Sequence, residues 1–155
     1  MPPSAIIAID LDSPRAPSPL IAGERAVAVD GLLRESVFQP AGDTNGPYRI
    51  LFADSANHIV LSIKNANGIS LPSFGLSTSP YRRIMHDYFL MIESYEQARI
   101  EGSRSRLEAI DMGRRGLHDE AGYLLIDRLK DRVLMDHPTA RRFFTLICAM
   151  RGPRL

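Results

Sequence analysis

The sequence predicts an α+β fold: a small, largely antiparallel sheet of three or four strands packed against C-terminal helices. Three observations carry this. From His58 to Lys64 apolar and polar residues alternate, the period of a half-buried strand. After Pro80 the apolar period lengthens to that of a helix and stays so to the end. The chain has 155 residues, 45% hydrophobic and 24% charged, which fits one globular domain with a core from Ile6 to Met150.

The elements follow in order. Ile6 to Leu11, IIAIDL, is rich in isoleucine and reads as a strand. Asp12 to Pro19 carries three prolines and reads as a loop. A helix is expected from Ile21 to about Phe38, with Ala26, Val29, Leu32, Leu33 and Val37 on its apolar side. Gly31 lowers its propensity by about 1 kcal/mol, and Pro40 bounds it. Tyr48–Ala53 and His58–Asn65 read as strands joined by a turn over Asp54–Asn57, with Ile59, Leu61 and Ile63 facing one way. Asn67–Gly68 is a turn signal, and Ile69 to Leu76 a third strand that Pro72 confines to an edge. An antiparallel meander is expected, covered on one face by helices.

Ser77, Thr78 and Ser79 before Pro80 read as the cap of a helix running to about Ile100, with Ile84, Tyr88, Met91, Ile92 and Tyr95 inward. Gly102 ends it, and Ser103 or Ser105 opens the next. From Leu107 to Leu129 that helix carries Leu107, Ile110, Leu117, Ala121, Leu124 and Leu125 on one side, and the chain is expected to be organised around it. Gly113, Gly116 and Gly122 imply a break near Gly116 or a close-packed neighbour. Arg132 to Met135 reads as a short extended piece. Asp136 then caps a last helix, ended by Gly152 and Pro153, that Phe143, Phe144, Leu146 and Ile147 mark as central to the core.

Charge is nearly balanced, at +1 overall. Residues 1–80 hold five basic and seven acidic side chains, and residues 81–155 fourteen and eleven. A nucleic-acid binder shows a stronger basic bias. All the basic residues except Lys64 and Lys130 are arginine, which suits phosphate and carboxylate recognition. No apolar run is long enough to span a membrane, and no basic region precedes the apolar run of MPPSAIIAIDLD, so neither a span nor a signal peptide is expected. The expected location is the cytoplasm. The lone Cys148, in FFTLICAM, reads as a buried small hydrophobe.

The polar residues of the central helix are the candidate site. On an ideal helix Arg115 lies at about 40° and His118 at about −20° from Asp111, so the three share an edge. A carboxylate beside His118, from Asp111 or Glu120, would orient the ring for acid–base work. Arg115 and His118 would oppose each other as cations unless a carboxylate or a bound anion joined them. The catalytic candidates are therefore His118, Asp111 and Glu120. The ligand-binding candidates are Arg114 and Arg115, joined by Arg82 and His86 if the two long helices pack antiparallel. The structural alternative is a surface ion-pair cluster beside a core helix. Arginine pairs at 82–83, 114–115 and 141–142 would give a basic face if their helices lie side by side.

Other chemistry is not signalled. There is no HxH, HxxxH or HExxH, no GxGxxG after a strand, no GxxxxGK[ST] and no GxSxG, so the sequence assigns no metal and no cofactor. Asp10 and Asp12 are similar to a magnesium-holding aspartate pair, but the elements that follow do not read as a parallel α/β sheet. Three functions compete: a regulatory or binding protein partnered by another protein or a second copy of itself, a small enzyme using His118 on a phosphorylated substrate, and a nucleic-acid-associated protein. No aromatic interleaving supports the last.

Several stretches resemble one family. RRIMHDYFLMIESY (Arg82–Tyr95), EAIDMGRRGLHDEAG (Glu108–Gly122) and TARRFFTLICAM (Thr139–Met150), with ERAVAVDGLL (Glu24–Leu33) and GPYR (Gly46–Arg49), are similar to Uncharacterised Protein Family 0262. The resemblance runs from Ile6 to Met150 and implies a small alphaproteobacterial protein, without implying an activity. Family members usually carry asparagine where this chain has Asp119, which leaves His118 and Glu120 as the better candidates.

Overall fold

The computed structural model describes residues 2–13 and 17–152. Its strands are β1 (Ile6–Asp12), β2 (Phe38–Pro40), β3 (Tyr48–Ser55), β4 (His58–Lys64), β5 (Phe74–Ser77) and β6 (Val133–Met135). Its helices are α1 (Pro19–Arg34), α2 (Arg82–Glu101), α3 (Arg104–Leu129) and α4 (His137–Arg151). The loop expected over Asp12–Pro19 falls partly outside the described residues, as does Pro153.

The main sheet has the order β1-β3-β4-β5. β3, β4 and β5 pair antiparallel, whereas β1 runs parallel to β3. The expected antiparallel meander is therefore present as β3, β4 and β5, and β1 makes the sheet mixed: α1 carries the chain back along the sheet, so the next long strand runs in the same direction as β1. A register shift between Ile6 and Ala8 puts Ile6 opposite Tyr48 and Ile9 opposite Ile50. The third expected strand is split. Ser70 bridges to Lys64, and after Pro72 the chain re-enters the sheet as β5. β2 and β6 form a separate antiparallel pair, with Phe38 opposite Met135.

α4 is central to the core, as its phenylalanines predict, and the chain is organised around it rather than around α3. Phe143, Phe144, Leu146 and Ile147 are all buried. The Phe143 ring lies 5.1 Å edge-on from Phe52 of the sheet and 5.7 Å from Phe38, stacked. α1 and α3 pack on α4. α3 is one continuous helix with no break at Gly116; only its second half buries residues, Leu117, Ala121, Gly122, Leu125 and Leu129. Leu107, Ile110, Met91 and Tyr95, expected inward, are half-buried.

Local rules set the helix ends. Ser18, Ser103 and Asp136 each accept a backbone N–H at an N-terminus, from Ile21, Arg106 and Thr139. Gly102, at φ 72°, closes α2 in the left-handed conformation. The cap expected at Ser77–Ser79 does not form: Ser79–Tyr81 is a 3₁₀ turn without a side-chain cap, leading into α2. α1 buries Ile21, Ala28, Gly31 and Leu32 and leaves Ala26 exposed; it ends at Arg34 rather than near Phe38, so Val37 lies exposed beyond it and Phe38 opens β2. The phase differs because Gly31 faces α4: a Cβ there would stand 2.6 Å from Arg142 Nε. No helix of the described residues is long and apolar enough to cross a membrane.

Candidate functional site: an arginine-lined groove between α3 and α4

Two helices supply the site in a matched spacing. On α3 the i, i+4 pairs are Asp111–Arg115 and Arg114–His118; on α4 they are Pro138–Arg142 and Arg141–Thr145. The two faces meet in an open groove of about 240 Å³ lined by these eight residues. Gly122 sets the approach. A Cβ there would meet His137 Nε2 at 2.8 Å and Arg141 Cγ at 3.0 Å, so the room it leaves is filled by α4 itself.

His118 sits at the base. Its Nδ1 is 2.9 Å from the Arg114 carbonyl, which only accepts, so Nδ1 carries the proton. Nε2 is then the acceptor, 3.3 Å from the Thr145 hydroxyl. That hydroxyl also stands 3.4 Å from the Arg141 carbonyl, so its one proton serves two acceptors. The ring meets Tyr88 at 5.5 Å and Phe144 at 5.9 Å, both edge-to-face. Burial lowers the His118 pKa, opposed by the Arg114 carbonyl and reinforced by the Arg114 and Arg141 charges. The imidazole is therefore neutral near pH 7.

Each arginine of the groove has a partner in the protein. Arg114 donates to Glu24 Oε1 on α1, which also accepts from the Tyr88 hydroxyl at 3.1 Å. Burial, then the Glu24 charge, pushes the Tyr88 phenol far above its ordinary range, so it serves as a donor. Arg115 pairs with Asp111 at 3.1 Å, well exposed, which contributes little. Arg141 pairs with Asp119 at 3.1 Å, and the Asp119 carbonyl is 3.0 Å from His137 Nε2. Arg142 donates to the Glu35 carbonyl at 3.3 Å and has no carboxylate partner among the described residues.

The candidates named from the sequence divide. Asp111, Arg114, Arg115 and His118 come together in the groove. Glu120 does not; it accepts from Arg83, which also pairs with Asp87 at 3.2 Å. Arg82 and His86 line a separate shallow depression with Ser79 and Pro80, because His86 points outward from α2. Asp111 bonds Arg115, so no carboxylate orients the His118 ring. Asp10 and Asp12 lie exposed on β1. Among the described residues no three His, Cys, Asp or Glu side chains converge as metal ligands. The Cys148 thiol is fully buried, and burial alone raises its pKa well above the ordinary value.

The sequence reading left Glu24, Tyr88 and Thr145 out of the site. Glu24 is 90 residues from Arg114 and 64 from Tyr88, and no local spacing signals such a contact. Arg141 and Arg142 carried a signal, since their pair repeats the pair at 114–115.

Fold and groove together define a small α+β domain with an arginine-lined groove between α3 and α4. The family is shown by comparison: the chain belongs to the Uncharacterised protein family (UPF0262), whose model matches residues 4–152. It is 45% identical over 152 residues to a UPF0262 protein of Chelativorans sp. (strain BNC1), covering 96% of this chain and 94% of the relative. It is 44% identical over 133 residues to one of Rhizobium meliloti (strain 1021), covering 86% and 84%. It is 41% identical over 152 residues to one of Brucella canis, covering 97% and 95%. No solved structure matches the chain.

Proposed function

We propose that this protein is a binding protein whose α3–α4 groove takes a small phosphorylated or carboxylated ligand, sensed in the cytoplasm and passed on to a protein partner. One observation carries the reading: four arginines from two helices converge around a neutral histidine. Guanidinium forks match phosphate and carboxylate oxygens. Arg142, without a carboxylate of its own, is the first to engage the ligand. Arg115 can leave the exposed Asp111 at little cost. Arg114, tied to Glu24, holds the charge in place at the His118 end.

A second reading, small-enzyme chemistry, is favoured by His118 Nε2, whose protein partner is a hydroxyl with two acceptors to serve. There His118 is the base, Asp111 the acid nearest it in the groove, and Glu120 remains with Arg83. Calorimetric titration with inorganic phosphate, glycerol phosphate and a short RNA, on the parent and on Arg115→Ala, separates the readings. The binding reading expects the parent to take a small phosphate, the variant to lose affinity, and no turnover. Hydrolysis of glycerol phosphate that disappears in His118→Gln would replace it with the enzyme. Binding of RNA alone would replace it with a nucleic-acid function.

A further inference from the structure

The helices cover one face of the main sheet; the other carries a second set of cations. Along that outer face the pairing places Arg49 on β3 directly opposite Lys64 on β4. The next row runs Asp10, Leu51, Ser62 across β1, β3 and β4. Ser70 bridges to Lys64 from the far side, where the chain doubles back after the Asn67–Gly68 turn. These six side chains belong to a pocket of about 280 Å³. It is separate from the α3–α4 groove and shares no residue with it.

Like charges directly opposite on one sheet face are destabilising. Several arginines of this protein are set against carboxylates, as at Arg83, Arg99, Arg114 and Arg141. Arg49 and Lys64 are not: neither side chain has a hydrogen-bond or ion-pair partner among the described residues. Asp10, the nearest acid on this face, sits one row along and one strand across, and it too is unpartnered. Beside the two cations Leu51 lies 38% exposed, an apolar floor between them and Asp10.

We infer that the outer sheet face holds a second binding site, in which Arg49 and Lys64 together clasp the carboxylate or phosphate head of a small ligand whose body lies over Leu51. Ser62 and Ser70 supply hydroxyl donors at the head. Asp10 sets the selectivity. A second negative charge at the ligand's far end would meet its carboxylate, whereas a neutral or cationic end would not. The site thus takes a molecule with an anionic head and a neutral or cationic far end, and rejects one of the same length that is anionic at both ends. This inference does not depend on the groove between α3 and α4.

Amide shifts of the ¹⁵N-labelled full chain test it, titrated with inorganic phosphate and then with butyrate, 4-aminobutyrate and glutarate. We expect saturable shifts at Arg49, Ser62 and Lys64 that weaken about tenfold in Lys64→Gln and persist in Arg142→Ala. Glutarate should bind more weakly than 4-aminobutyrate in the parent, and Asp10→Asn should close that gap. Lys64 and Asp10 are exposed and Arg142 half-exposed, and matching amide spectra confirm that the three variants fold. Absence of saturable shifts at β3 and β4, or shifts that survive Lys64→Gln unchanged, would overturn the site. Equal affinity for glutarate and 4-aminobutyrate would overturn the role of Asp10.

Discussion

Glu24 and Arg114, 90 residues apart, are joined by a single carboxylate oxygen, Oε1, that also accepts from the Tyr88 hydroxyl. One acid on α1 thereby holds a donor from α2 and another from α3. Their exposures, 18% for Glu24 and 31% for Arg114, place the pair between surface and core, where losing one partner is felt. Glu24→Ala leaves both donors short and is expected to cost about 2 kcal/mol by urea denaturation. Glu24→Gln keeps an acceptor for Tyr88 and should cost less. Equal midpoints for parent and Glu24→Ala would show that the carboxylate bears no such load.

The last helix gives the plainest test of packing. Phe144 is 0% exposed and meets Tyr88 at 5.8 Å. Phe144→Ala should lose about 3–5 kcal/mol of unfolding free energy. An unchanged denaturation midpoint would contradict the central place of α4.

Two glycines of α3 should respond in opposite directions. Gly116 has nothing within reach of a Cβ, so Gly116→Ala should gain about 0.5–1 kcal/mol from helix propensity alone. Gly122→Ala drives a methyl into His137 and Arg141, and the His137 ring is fixed by the Asp119 carbonyl and by stacking on Tyr123 at 4.0 Å. It should lose about 1–3 kcal/mol. Thermal melts of the two variants check this; melts shifted the same way would contradict the close approach of α4 to Gly122.

His118 gives stability a pH dependence of definite sign. Its folded pKa lies below the ordinary 6.5, because burial disfavours the charged ring. The unfolded chain therefore binds the proton first as pH falls. The contribution of neutral His118 is full above about pH 6.5 and is lost between there and its lower folded pKa. Urea midpoints at pH 7.5 and 5.5 should converge for parent and His118→Gln as pH falls. A gap that widens toward acid would mean that the folded state favours the imidazolium.

Much of the fold was legible because it is local. The alternation of Ile59, Leu61 and Ile63, the Asp136 cap and the phenylalanines of α4 each follow from spacing within one element. The parallel pairing of β1 with β3 was not, because it depends on the path of α1 through space. Nor was the phase of α1, which an arginine of α4 sets by lying against Gly31. The site divides in the same way. Asp111, Arg115 and His118 share an edge by helical geometry alone. Arg141, Arg142 and Thr145 join them only because α3 and α4 pack together, and Glu120, two positions from His118, turns to Arg83 on the other flank.

The proposed function requires the groove between α3 and α4 to receive an anion at His118. Nitrogen NMR of the His118 ring at about pH 6.5, during titration with sulfate, tests it most directly, since sulfate keeps its charge at that pH. Before sulfate, Nδ1 should be protonated and Nε2 bare. Saturating sulfate should protonate Nε2 and shift the amides of Arg115, Arg142 and Thr145 together, because an anion beside the ring favours the imidazolium. A His118 ring whose nitrogens stay unchanged while sulfate saturates, or a groove whose amides do not move at all, would contradict the account.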